Sequence, residues 1–173
     1  LPGLKDAVYD HRYVFDEIGY NLKPLDLQAA MGLQQLEKLP MLDNARRENW
    51  AKLRSIFEPY RQYFYMPEAT AKADPCWFAF LLTIKESAPF SRPDIVKHLE
   101  GAKIQTRSYF SGNILAHPGY IHLADDYGDM DEAFTNAQLV TTNSFFLGTY
   151  VGLTEDKMDY IRDAVDSFFK GLK

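Results

Sequence analysis

Apolar and polar positions follow several different rhythms along this chain, and each rhythm predicts an element. After Pro24, the residues Ala29, Leu33 and Leu36 recur at i, i+4 and i+7, with Gln28, Gln35 and Lys38 on the other side. That spacing is one apolar face of a helix. Pro24 suits the opening of a helix, and Asp26 brings negative charge to a first turn where the helix dipole favours it. A second helix is expected over residues 41–64, carrying Ala45, Ala51, Leu53, Ile56 and Phe57, and interrupted or ended near Pro59. Arg46, Arg47, Glu48, Lys52 and Arg54 form its solvated face.

Beyond residue 64 the pattern changes. Cys76 to Ile84 is almost continuously apolar and aromatic between an Asp-Pro pair and Lys-Glu-Ser, which predicts a buried strand. Ser91-Arg-Pro-Asp94 has the form of a capping box, with Ser91 at the N-cap of a helix that runs through Leu99 and ends near Gly101. Lys103 to Arg107 resumes as a strand, and Asn143 to Tyr150 is a further aromatic strand. Thr154 then caps a last helix in which Met158, Ile161, Val165 and Phe168 face inward, with Gly171 at its end. Strands separated by helices predict an α+β domain, a small antiparallel sheet with helices packed on one face. Residues 111–130 are the least regular part, rich in Gly, Asp, Tyr and His, a character typical of functional loops.

The composition narrows the classes of function. Of 173 residues, 46% are hydrophobic and 14% aromatic, enough for one good core or two small ones. A formal net charge of -5, with Lys and Arg scattered, argues against a nucleic-acid or membrane-surface binder. No apolar run approaches the roughly 20 residues that span a bilayer, and no basic-then-apolar leader is visible, so the cytoplasm is the expected compartment. The single cysteine, Cys76, has no internal partner and is expected to be a buried thiol within its aromatic run. His11, His98, His117 and His122 have no convincing ligand spacing, and no metal site is expected. The chain opens on Leu-Pro-Gly-Leu-Lys-Asp without a methionine, and is read as a piece of a longer protein.

Gly19-Tyr20-Asn21 is a turn signal joined directly to the first helix. The whole run from Asp10 to Leu39 resembles the start of the small domain in the DegT/DnrJ/EryC1/StrS group of pyridoxal-phosphate sugar aminotransferases. Within that group it is most similar to the CDP-4-keto-6-deoxyglucose 3-dehydrases. Four further segments carry the same resemblance in the same order: Asp74-Pro-Cys-Trp-Phe-Ala-Phe80, Ala102-Lys-Ile-Gln-Thr-Arg107, Phe110-Ser-Gly-Asn113 and Phe146-Leu-Gly-Thr-Tyr-Val-Gly-Leu-Thr154. Two departures stand out. Cys76 replaces what is often a small hydroxyl residue, and Pro24-Leu25 differs from the usual pair.

The resemblance implies that residues 1–173 are the C-terminal small domain of an enzyme of the aspartate aminotransferase fold type I. Residues 1–24 would be linker and cofactor-facing loop, 25–64 helices, and 65–173 an α+β core. It implies a parent that uses pyridoxamine or pyridoxal 5-phosphate to remove the 3-hydroxyl of a nucleotide-linked 4-keto sugar in deoxysugar and O-antigen biosynthesis. In relatives the Asn of the Gly-Tyr-Asn loop reaches across a homodimer to the cofactor phosphate, a role that falls on Asn21. Tyr20 and His11 lie in the same loop and are left unassigned. Arg107 is the candidate for the substrate diphosphate, because a guanidinium fork matches phosphate oxygens, and Tyr109 and Asn113 stand beside it. A plain surface arginine is the alternative there. No catalytic residue is expected in this chain, since in this branch a histidine replaces the cofactor-bearing lysine in the large domain. Some members also carry an upstream [2Fe-2S] cluster served by an iron–sulfur reductase. Two other readings stay open: the small domain of a true aminotransferase, with the lysine retained, and a noncatalytic interaction module that reuses the fold.

Overall fold

The computed structural model describes residues 19–20, 22 and 24–172. Asn21 and His11 lie outside the described residues. The chain divides into two compact units, residues 1–38 and 39–173.

Helix α1 runs unbroken from Asp26 to Phe57 and contains Pro40. The expected pair of helices is therefore one. Pro40 removes the bond to the Leu36 carbonyl, but both residues are exposed, and water can satisfy the freed oxygen. At the start of the helix the Leu25 amide donates to Gln28 Oε1 at 2.9 Å, the one half of a capping box that a leucine at the N-cap position allows. The expected apolar face is formed, yet Leu33 is 64% exposed and Met31 and Leu36 are equally open. Periodicity identified the face; nothing among the described residues covers it. The helix gives way to a 3-10 turn, Glu58–Tyr63, with Pro59 at its start.

The second unit is built on four antiparallel strands in the order β1-β2-β4-β3. They are β1 (Phe64–Tyr65), β2 (Ala79–Ile84), β3 (Arg107–Ser108) and β4 (Ser144–Gly148). In the β2–β4 register Phe80 pairs with Leu147 and Leu82 with Phe145, so these four side chains share one face. Over that face pack the end of α1 (Leu53, Ile56, Phe57), helix α2 (Arg92–Gly101) through Ile95 and Leu99, and helix α5 (Glu155–Lys170) through Met158, Ile161, Val165 and Phe168. Each such side chain contributes about 1.5–3 kcal/mol by leaving water. Helix α3 (Met130–Ala133) and helix α4 (Thr135–Asn143) lead into β4.

The α+β class, the antiparallel sheet and the capping box are all as expected. The Ser91 amide and hydroxyl both donate to Asp94 Oδ2, at 2.8 and 2.6 Å. The strands are shorter than the apolar runs that predicted them. Residues 76–78 precede β2 outside the regular ladder, held where Thr149 donates its amide to the Phe78 carbonyl at 3.3 Å and its hydroxyl to the Trp77 carbonyl at 2.7 Å, and Lys103–Thr106 climbs irregularly to β3 because Lys103 closes α2 at φ 62°. Among the described strands and α-helices, three were not anticipated: β1, α3 and α4.

Candidate functional site

The groove that holds Arg107 is set by how the chain leaves α2. After the Lys103 turn, the Ile104 amide returns to the Leu99 carbonyl at 2.9 Å, and Ile104 and Thr106 are buried while Gln105 and Arg107 are exposed. Thr106 is locked by two bonds to one oxygen: its amide and its hydroxyl both donate to Glu100 Oε1, the hydroxyl at 2.9 Å. Arg107 then pairs with Phe146 across β3 and β4 at the sheet edge. The resulting groove, about 1110 Å³, is lined by α2 residues including Arg92, Lys97 and Glu100 and by Arg107, Phe110 and Phe146.

Charge in this groove is uneven. Arg92 is tied down, donating to the carbonyls of Thr141 at 2.9 Å and Ser144 at 3.3 Å. Glu100 is held below the usual carboxylate range by the hydrogen bonds from the Thr106 amide and hydroxyl, helped by the Arg107 charge, so it is ionised at neutral pH. Arg107 makes no hydrogen bond or ion pair with a described residue, although it sits near that carboxylate. A guanidinium with no hydrogen bond to a described residue, beside a carboxylate already engaged by Thr106, is suited to a second anion with forked oxygens.

The loop after β3 is tightly built. Phe110 has φ 48° and Gly112 φ 58°. The Phe110 amide donates to Ser108 O at 2.8 Å, and the Asn113 amide to Thr141 Oγ1 at 2.7 Å. Asn113, expected at the substrate, is instead buried: its Nδ2 donates to Gln138 Oε1 at 3.1 Å and its Oδ1 accepts from the Leu115 amide at 3.2 Å. One donor and one lone pair of the amide remain. It does not line the Arg107 groove. Tyr109 opens to a separate hollow of about 420 Å³ with Ser111, Gly112, Asn136 and Val140. Arg107 and Tyr109, two apart in sequence, thus face different spaces, and Phe110 borders both.

Phe110, the first residue of Phe-Ser-Gly-Asn, borders the groove as well. Its ring stacks on Phe78 at 5.9 Å between centroids and meets Phe146 at 6.0 Å, yet it is 69% exposed. The signal available was Phe-Ser-Gly-Asn itself, a bulky residue just before a turn.

A pyridoxal-type cofactor would need donors for its phosphate. The described part of the Gly-Tyr-Asn loop lies open: Tyr20 is 92% exposed, and a Cβ on Gly19 would meet nothing within 4 Å. Such an edge can donate to an anion held by other residues but cannot enclose one, so the described residues form no complete cofactor site. Among them no group of three His, Cys, Asp or Glu could hold a metal, and no helix is long and apolar enough to cross a membrane. Cys76 is only half-buried, against the expectation of a core thiol. Its Sγ lies 3.4 Å from Asp43 Oδ1, and burial first, then that carboxylate, pushes the thiol up, so it is protonated and a poor nucleophile at neutral pH.

Comparison with known proteins extends the geometry. A family model described as the DegT/DnrJ/EryC1/StrS aminotransferase family matches residues 1–166. The dTDP-4-dehydro-2,6-dideoxy-D-glucose 3-dehydratase of Saccharopolyspora spinosa is 41% identical over 160 residues, covering 92% of this chain and 34% of that protein. Among solved structures, a mutant GDP-4-keto-6-deoxymannose-3-dehydratase with bound GDP-perosamine superposes with a TM-score of 0.71 at 27% identity, over 92% of this chain and 40% of the other. The Escherichia coli GDP-4-keto-6-deoxy-D-mannose-3-dehydratase with bound hydrated PLP gives a TM-score of 0.70 at 26% identity, over 90% of this chain and 39% of the other. The chain therefore spans only 34% to 40% of the length of these three proteins.

Proposed function

Because this chain belongs to the DegT/DnrJ/EryC1/StrS aminotransferase family, we propose that it is the C-terminal small domain of a pyridoxamine-phosphate-dependent sugar-nucleotide 3-dehydratase, and that Arg107 receives the substrate's diphosphate. The observation that carries the reading is the 41% identity to a 3-dehydratase over 92% of the chain. Arg107 supports it as a guanidinium with no described hydrogen-bond or ion-pair partner, in a groove wide enough for a nucleotide.

When bound, pyridoxamine phosphate supplies the electron sink for loss of the sugar 3-hydroxyl. The part of this chain is to bind and orient. Asn21 offers two amide N–H groups to the cofactor phosphate of a partner subunit without adding a charge that must be desolvated. Arg107 grips the diphosphate, and Asn113 acts from behind, fixing the loop that follows. Tyr109 opens to the separate hollow, so in this reading it meets the substrate only beyond the Phe110 ring and not at the diphosphate. A homodimer, a cytoplasmic setting and an iron–sulfur cluster with its reductase belong to the same reading. Cys76 takes no part in that cluster, since its thiol faces Asp43.

The intact enzyme tests the class. Incubated with a nucleotide-linked 4-keto-6-deoxy sugar and a source of two electrons, either stoichiometric pyridoxamine phosphate or the reductase with its nicotinamide donor, it should yield a product lacking the 3-hydroxyl by mass spectrometry, with water released. A product carrying an amino group instead would make it an aminotransferase. Asn21→Ala should weaken cofactor retention roughly ten- to a hundredfold. Arg107→Met should raise the substrate KM while cofactor absorbance stays unchanged, and an unaltered KM would remove the arginine from the site.

A further inference from the structure

The Arg107 groove has an aromatic wall that the diphosphate reading leaves unused. Phe110 is a bulky residue held at φ 48°, in the left-handed region that L side chains rarely adopt. Such strain persists only where surrounding structure over-determines it, and it concentrates at ligand sites. Here the bracing is visible. The Asn113 amide and the Thr141 hydroxyl join at 2.7 Å, and His117 Nε2 lies 2.7 Å from the Ser111 carbonyl oxygen. All of that fixation serves to hold a phenyl ring 69% exposed rather than to bury it. Phe78 backs the ring at 5.9 Å and an interplanar angle of 28°, Tyr109 and Phe146 meet it at tilted angles at 5.4 and 6.0 Å, and the remaining face stays open to solvent.

We propose that Phe110 is the stacking platform for the nucleobase of a nucleoside diphosphate whose phosphates lie on Arg107. The proposal rests on the Arg107 reading above and adds the recognition of the base. Two features bordering one groove match the two ends of such a ligand: a flat, preorganised π-face and a guanidinium fork without a hydrogen-bond partner among the described residues. The buried polar side chain of the groove, Thr106, spends its hydroxyl proton on Glu100, and Arg92 is bonded to main-chain carbonyls, so edge recognition of the base is left to the exposed Lys97 and Ser108 at the rim. Stacking without buried edge readout tolerates every base, so the platform should accept cytosine, thymine and guanine diphosphates with similar affinity.

Isothermal titration of the intact enzyme that contains this domain with CDP, dTDP, GDP and inorganic pyrophosphate separates the parts. Phe110→Leu, which keeps bulk but loses the π-face, should weaken all three nucleotides about tenfold and leave pyrophosphate unchanged. Phe110→Trp should retain or tighten nucleotide binding. Arg107→Met should weaken nucleotides and pyrophosphate together. If Arg107→Met weakens binding while Phe110→Leu does nothing, the base lies elsewhere and the stacking proposal fails alone. If Arg107→Met has no effect on any probe, the diphosphate reading fails. Absence of nucleotide binding by the unsubstituted enzyme at millimolar concentration overturns the platform as well. Phe110 is exposed, so these variants leave the core intact, which a thermal melt confirms.

Discussion

Gly112 lies so close to Thr141 that a Cβ built on it would stand 2.8 Å from the Thr141 Cα, and closer still to its hydroxyl oxygen. That hydroxyl accepts the Asn113 amide at 2.7 Å and donates to the Ala137 carbonyl at 2.6 Å. The glycine thus lets the loop after β3 press directly onto α4. Gly112→Ala would add backbone strain at φ 58° and a clash with main-chain atoms that cannot swing aside. The expected cost is about 2–3 kcal/mol. Calorimetry should show a melting temperature roughly 5–10 °C lower. Binding at Arg107 should weaken with it, because the loop shifts.

Thr83 and Ser144 face each other across β2 and β4, their hydroxyls 2.7 Å apart and both residues buried. Removing one hydroxyl leaves the other without a partner in a dry site. Thr83→Val or Ser144→Ala alone should each cost about 1–3 kcal/mol, and the double variant should recover much of the loss. Denaturant melts arranged as a double-mutant cycle would show it, and additive losses would mean the two hydroxyls do not depend on one another.

The elements legible in the sequence are those whose signal is local. The inward face of α5 and the Ser91–Asp94 box depend only on neighbours in the chain, and both are present as read. Helix α4 was missed because Thr135-Asn136-Ala137-Gln138-Leu139-Val140-Thr141-Thr142-Asn143 holds poor helix formers with no cap signal. The Thr141 and Thr142 hydroxyls bond back to carbonyls one turn earlier, and Asn143 Nδ2 reaches Ile84 O at 3.0 Å, so tertiary contacts help fix the segment. At the site, Arg107 was legible as a cation ahead of an irregular loop. Asn113 was read as a ligand although Asn is also a preferred cap, and it caps the 3-10 turn Ile114–Ala116. The exposure of Phe110 could not be read, because an apolar residue beside a strand is more often core.

Helix α1 shows the same limit in energetic form. Leu33 and Leu53 belong to one continuous helix, yet Leu33 is 64% exposed and Leu53 is 0% exposed. Leu33→Gln in this chain should change stability by less than about 0.5 kcal/mol. Leu53→Ala should cost about 2–5 kcal/mol through lost burial and the cavity left behind. Urea midpoints would compare the two directly. A large loss at Leu33 would mean that its face is covered within the chain after all.

Tyr60 ties the end of α1 to α5. Its ring stacks on Phe169 with centroids 3.8 Å apart, and its hydroxyl donates to Asp166 Oδ1 at 2.7 Å. Burial first, then the hydrogen bond and charge of Asp166, pushes this phenol up to about 12, from an ordinary value near 10.0. The unfolded chain therefore loses the proton at lower pH than the folded one. The stabilisation is fully present below about pH 10 and fades as pH rises towards 12, because ionisation then favours the unfolded state. Ultraviolet titration should show one tyrosine ionising well after the exposed ones, and Tyr60→Phe should delete that late step. The stability gap between Tyr60→Phe and the unsubstituted protein should be widest at neutral pH and close in strong alkali. A gap that instead grew between pH 10 and 12 would reverse the proposed linkage.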